Sequence, residues 1–273
     1  MLSTHKCLLY IGVCMLFCSH TCLAQINQVN TMAEVMPYFK GADYSTLAIF
    51  DIDMVLVQPK DPAFQMDNIQ KYKGIAKAVM ASLSDEKRDI FLNLMLIDSE
   101  YVLIDSNTPK FLQELSQSGI PIMALTAGLT GNLGSVKSMQ KWKVDQLSRV
   151  GIDFAVSALH NVKIIFNQLP AYRGNYSLYQ NGILFANGPQ VSKGDLLVAF
   201  LKKNSSYPSK IVFIDDKEDY VKNVEEALKK IYPPIAFQGL VFKGTQNTKA
   251  EPLTADQFER RWKQLAAQAE VLD

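Results

Sequence analysis
Leu47–Pro59 reads LAIFDIDMVLVQP, and the fold turns on it. Leu47, Ala48, Ile49 and Phe50 form an unbroken apolar run, the pattern of a strand covered on both faces. Asp51 and Asp53 follow at once, and apolar residues resume at Met54. A carboxylate at the edge of a core is costly unless an opposite charge, a hydrogen bond or a metal compensates it. Two of them, two residues apart, call for a metal, a proton partner or a chemical task.

Other runs resemble the first. Ile120–Leu125 and Lys210–Ile214 are rich in Ile, Val, Leu or Phe, and each ends at a polar residue. Ile235–Phe242 offers a further strand. Helical periodicity covers Asn107–Gln117, Lys193–Lys203 and Asp219–Ile231, the last ending before Pro233–Pro234. Strands alternating with helices predict an α/β fold: a Rossmann-like three-layer core with a mostly parallel sheet, whose ligands bind beyond the carboxyl ends of the strands.

Two stretches break the alternation. Residues 59–105 contain IQKYKGIAKAVMASLSDEKRDIFLNLML and are expected to form a small helical module inserted after the first strand, with a strand only at Tyr101–Ile104. Tyr176–Gly188, YSLYQNGILFANG, places Asn181–Gly182 between apolar-aromatic runs, the signature of a tight hairpin. Near the C-terminus, Thr254 and Gln257 form a capping-box pattern, and Phe258, Trp262, Leu265 and Ala266 share a face. One helix over residues 254–270 is expected, assigned with residues 25–58 and 106–273 to the α/β core.

The first 24 residues differ from the rest. Lys6 precedes the apolar run Leu8–Phe17, which is too short to span a bilayer, and Ala24 offers a small residue at a cleavage point. This predicts a signal peptide over residues 1–24, export to the periplasm or beyond the cell, and no stable membrane anchor after cleavage. Cys7, Cys14, Cys18 and Cys22 all lie before that cut, so the remaining chain holds no disulfide, thiol nucleophile or cysteine-bound zinc. Lys6 is the single charged residue of that stretch, and its loss takes the 28 basic residues to 27, matching the 27 acidic ones. With no basic tract, nucleic acid is not an expected partner. His160 reads as structural or surface, and Trp142 as a packing residue.

The chemistry gathers at the strand ends. The first strand delivers Asp51 and Asp53, the second Thr126 in IPIMALTAG, the third Asp215 and Asp216 in IVFIDDKED; Lys193 opens a helix in VSKGDLL. Clustered carboxylates raise one another's pKa unless a cation lies among them. Oxygen-only ligands favour a hard ion such as Mg²⁺. Thr126 can bond a phosphoryl oxygen, and Lys193 can offset its charge. Residues i and i+2 of an extended segment point the same way. Asp51 can therefore attack phosphorus while Asp53 exchanges protons with the leaving oxygen and with water.

FDIDMVL, ALTAG, SKGDLL and FIDD, in this order, resemble the four motifs of the haloacid dehalogenase (HAD) superfamily. The wider pattern, including GIDF and KGDLL…PSKIVFIDD, is similar to an uncharacterised family of secreted bacterial HAD-like proteins. The resemblance implies Asp51 as nucleophile and Mg²⁺ ligand, and Asp53 as acid/base with its backbone carbonyl on the metal. It implies Thr126 and Lys193 as phosphoryl ligands, Asp216 or Asp215 completing the metal site with Asp219 as a further possibility, and residues 59–105 as a cap. Met54 and Val55 depart from the small or polar residue and the Thr common in such phosphatases. A Mg²⁺-dependent phosphomonoesterase acting on a small phosphorylated substrate is expected. The alternatives are a phosphotransferase on the same fold and a binding or host-directed protein with little turnover.

Overall fold
The computed structural model describes residues 25–159, 162–205, 207–231 and 235–272. The expected signal peptide, His160 and Pro233–Pro234 lie outside them. The strands are β1 (Gln25–Val29), β2 (Thr46–Phe50), β3 (Val57–Pro59), β4 (Tyr101–Leu103), β5 (Ile122–Thr126), β6 (Ile164–Ile165), β7 (Leu178–Gln180), β8 (Ile183–Phe185), β9 (Lys210–Asp215) and β10 (Ala236–Phe242). The helices are α1 (Met32–Val35), α2 (Met66–Lys71), α3 (Lys73–Ser82), α4 (Asp85–Ile97), α5 (Thr108–Gln117), α6 (Met139–Arg149), α7 (Lys193–Asn204), α8 (Glu218–Ile231), α9 (Gly244–Asn247) and α10 (Ala255–Val271).

Eight strands form one sheet in the order β1-β10-β9-β2-β5-β8-β7-β6. Neighbours are parallel from β1 through β8, and the last two pairings are antiparallel. The apolar runs are unbroken because both faces are covered. Ala48, Phe50, Ile122 and Ile214 pack on one face with Phe111 and Leu115 of α5 and Leu147 of α6. Leu47, Ile49, Leu125 and Phe213 pack on the other with Leu196 and Phe200 of α7 and Val224 and Leu228 of α8. This is the expected three-layer α/β architecture with a mostly parallel sheet.

The hairpin forms where Asn181–Gly182 predicts it. Both residues have positive φ, 51° and 76°, which the right-handed twist of a two-residue hairpin requires. Its second strand, β8, joins β5 and extends the sheet. Tyr179 and Phe185 are fully buried in it. Strands β1 and β6 were not expected. QINQV carries too few apolar residues to announce a strand, and an edge strand covered less fully needs fewer.

The insertion begins and ends in the antiparallel ribbon β3-β4 and holds α2, α3 and α4. Here the structure departs from the assignment of the terminal helix to the α/β core. Helix α10 has the expected capping box, but Phe258, Trp262, Leu265 and Ala269 pack with Phe64, Val79, Ile90 and Phe91 of the insertion. The physical reason is area. Three short helices cannot bury their apolar faces alone, and α10 supplies the missing wall. Trp262 stacks on Phe258 and meets Phe91 at a tilt, and its indole N–H donates to the Ala63 carbonyl at 2.8 Å. Among the described residues no helix is long and apolar enough to cross a membrane.

Candidate functional site
Strands β9, β2 and β5 are adjacent and parallel, so their carboxyl ends open on one edge. Phe50 pairs with Ile214 on one side and Ala124 on the other. That register sets Asp51 level with Asp215 and brings Thr126, one residue further along β5, to the same edge. The Asp51 N–H donates to the Ile214 carbonyl at 2.8 Å, continuing the ladder one residue past β2. The chain then reverses tightly. Ile52 O accepts the N–H groups of Leu56 and Val57, and the Met54 N–H donates to Val57 O. Met54 sits at φ 66°, a left-handed conformation that costs an ordinary side chain about 1–2 kcal/mol.

Lys193 is the hub. Its ammonium lies 2.9 Å from Asp51 Oδ1 and 2.6 Å from Asp215 Oδ2, and all three side chains are buried. Helix α7 delivers it through two local devices. Ser192 caps the helix by accepting the Asp195 N–H, and the Gly194 N–H donates to Asn223 Oδ1 of α8. Gly194 is required because a Cβ there would come within 2.7 Å of Ala227 Cβ and of the Asn223 carbonyl. Asp215 is satisfied further by the Lys217 N–H at 2.9 Å.

Oxygen atoms of Asp51, Asp215 and Asp216 all lie within 4.8 Å of one another. Burial drives the Asp51 carboxyl up to about 7; Asp215 and Asp53 push the same way, and Lys193 opposes them. Asp215 and Asp216 are raised as well, chiefly by burial. For Lys193, burial works against the charge, but Asp215 and Asp51 outweigh it and hold the ammonium well above its ordinary range. Lys193 lies between the three clustered carboxylates and Lys217 lines the same cavity near Asp216, so two ammonium groups face three acids and the centre stays short of positive charge. An all-oxygen donor set with an excess of negative charge fits a hard divalent ion.

Asp215 is the acid held against Lys193, whereas Asp216 lines the cavity beside Asp51. Asp219 is exposed and lies outside the group of three. Thr126 is buried at the end of β5, and its Oγ1 accepts the Gly128 N–H at 3.1 Å, turning the chain beneath the site. Asp51, Asp53, Thr126 and Asp216 all border one cavity of about 230 Å³. Asp89 and Leu92 of α4 form part of its wall on the side of the insertion, with Pro189 from the segment after the hairpin. The six residues singled out in the sequence thus converge, Lys193 and Asp215 from just behind the cavity wall.

Two neighbours went unnoticed in the sequence. Tyr101 of β4 donates its hydroxyl to Asp53 Oδ1 at 2.8 Å, and Lys143 of α6 donates from Nζ to Asp53 Oδ2 at 2.5 Å. Burial, then the Asp53 charge, holds the Tyr101 phenol protonated well above its usual range. The signal for Lys143 was present. It falls between Met139 and Leu147 at intervals of four, a charge inside an apolar helical stripe. Trp142 packs edge-on against Tyr101 with ring centres 5.6 Å apart, as a packing residue should.

Residues 28–272 match the family described as "Protein of unknown function (DUF2608)". Similar chains include an uncharacterized protein of Rickettsia bellii, 24% identical over 243 residues, covering 85% of this chain and 82% of the relative. One from Rickettsia conorii is 25% identical over 250 residues, covering 88% and 84%. One from Rickettsia prowazekii is 30% identical over 226 residues, covering 79% and 75%. The family match takes in every site strand, the insertion and α10, and by it the chain belongs to the DUF2608 family.

Proposed function
We propose that this protein is a Mg²⁺-dependent phosphomonoesterase of the HAD type, working through an aspartyl-phosphate. The observation that carries the reading is the meeting of Asp51, Asp215 and Asp216 around one buried ammonium, with Asp53 and Thr126 on the same cavity. Asp51, Asp216 and the Asp53 carbonyl would hold Mg²⁺, which supplies charge neutralisation for the phosphoryl oxygens. Asp215 orients Lys193 and keeps its charge. Thr126 Oγ1 binds a phosphoryl oxygen in the cavity, and the Lys193 ammonium behind the wall holds Asp51 and offsets the charge that develops in transfer.

The reaction balances in two steps. Asp51 forms a bond to phosphorus as the bond to the leaving oxygen breaks, and Asp53 gives that oxygen its proton. Water then attacks the aspartyl-phosphate, Asp53 takes the water's proton, and the bond from Asp51 to phosphorus breaks to release phosphate. A cavity of about 230 Å³ suits a phosphoryl group with a small leaving group. Export, expected from residues 1–24, belongs to the same proposal.

The test is phosphate release from 4-nitrophenyl phosphate and a panel of small phosphomonoesters, with Mg²⁺ and with chelator. Metal-dependent release that disappears in Asp51→Asn supports the reading. Release that survives Asp51→Asn overturns it.

A further inference from the structure
Lys143 is the least expected residue in the molecule. Its side chain is 1% exposed, in a helix whose neighbouring buried positions include Met139 and Leu147. A buried ammonium is costly, and a hydrophobic side chain of similar volume in such a place is often neutral or stabilising. Packing therefore gives no reason for a lysine at this point in α6. Its Nζ reaches Asp53 Oδ2, and Tyr101 takes Oδ1 from the opposite element, the ribbon of the insertion. An ionised carboxylate has about four lone-pair sites on its two oxygens, so each oxygen keeps capacity for a further partner.

The surroundings place this clamp at the reacting centre. A Cβ built on Gly128 would stand 3.3 Å from Thr126 Oγ1 and 3.4 Å from Lys143 Nζ. The lysine thus lies against the loop that follows β5, where the chain has no side chain to keep it away. Tyr101 is held in turn, since Trp142, the neighbour of Lys143 on α6, packs edge-on against its ring.

We infer that Lys143 and Tyr101 are positioning residues for Asp53: they hold one carboxylate oxygen each and so fix the orientation from which Asp53 exchanges protons with the leaving oxygen and with water. This rests on the phosphatase reading of the same site. Lys143 does not border the cavity, and its effect on substrate passes through Asp53. Steps that move a proton through Asp53 depend on the clamp: departure of a basic leaving group, and the water step common to every ester.

Leaving groups separate the two cases. A nitrophenolate departs without a proton, whereas an alkoxide needs one. The protein and its Lys143→Met and Tyr101→Phe variants are assayed with Mg²⁺ on 4-nitrophenyl phosphate and on glycerol 2-phosphate. For Lys143→Met, kcat/KM, which reports the steps up to departure of the leaving group, should fall about 100-fold or more on the alkyl ester, within the range a general acid contributes. On the aryl ester the fall in kcat/KM should be under about 10-fold, while any slowing of the shared water step lowers kcat on both esters alike. Tyr101→Phe should show the same skew, smaller in size, and decides the matter alone if Lys143→Met fails to fold. An equal loss of kcat/KM on both esters, or no loss, overturns the clamp while leaving the phosphatase reading intact. No turnover of either ester by the unmodified protein removes that reading and the clamp with it.

Discussion
Removing divalent cations should make this protein lose stability as pH rises from 4 to 8, and Asp51 sets the size of the loss. Its carboxyl is displaced from the ordinary 3.8 to about 7 in the folded protein, first by burial. The folded state therefore binds this proton more tightly than the unfolded chain does. The resulting stabilisation is complete below about pH 4 and disappears as pH climbs through about 7. At 1.36 kcal/mol per pH unit, the rise corresponds to about 4 kcal/mol. Asp215 and Asp216 are displaced in the same direction, chiefly by burial, and add losses of the same sign. Lys193 keeps its charge throughout this window. Mg²⁺ should reverse the trend, because it binds the ionised carboxylates and releases their protons. The assay is urea unfolding at pH 5, 6, 7 and 8, with chelator and with saturating Mg²⁺, on the protein and on Asp51→Asn. Subtracting the variant, which cannot titrate at residue 51, removes the common background. The wild-type chain should lose about 3 kcal/mol more than the variant between pH 5 and pH 8 in chelator, the rest of the roughly 4 kcal/mol falling below pH 5. Mg²⁺ should protect more at pH 8 than at pH 5. A flat difference between the two chains, or equal protection at both pH values, would refute the reasoning.

Three substitutions test the supports of the site. Lys193→Met leaves Asp51 and Asp215 buried without their shared cation, and should cost about 3–5 kcal/mol at pH 8 and less at pH 5, read by urea unfolding. Gly194→Ala puts a methyl within 2.7 Å of Ala227 and the Asn223 carbonyl; it should cost about 1–3 kcal/mol and raise KM for the aryl phosphate as α7 moves off α8. Trp262→Ala removes the aromatic that α10 places against Phe91 and Phe258 and orphans the Ala63 carbonyl. A loss of about 3–5 kcal/mol in thermal or urea unfolding is expected.

The parallel core was legible because each central strand is apolar along its whole length and stops at a chemically distinct residue. Phe50–Asp51, Leu125–Thr126 and Ile214–Asp215 each mark both the end of a strand and a member of the site. The hairpin was legible because Asn181–Gly182 is a local signal needing no tertiary context. What the sequence concealed was long-range. Lys143 meets Asp53 from 90 residues away and Tyr101 from 48, and nothing local to α6 or β4 names that partner. The seat of α10 was hidden for the same reason: its apolar stripe shows that it packs, not upon what. Met54 was noticed as bulky, but its left-handed backbone follows from the reversal after Asp53, which the residue types alone do not specify.

The seat of α10 also bears on how the chain is built. The wall over the cavity is drawn from residues 59–105, yet its packing waits for Phe258, Trp262 and Leu265, which lie in the last helix of the chain. Such distant pairings carry a high loop-closure cost and form late. During synthesis the α/β sheet can assemble while the inserted helices still expose Phe64 and Phe91, a surface that invites association with other chains. Loss of the final seventeen-residue helix would leave a sheet with its carboxylates in place and an unfinished roof above them.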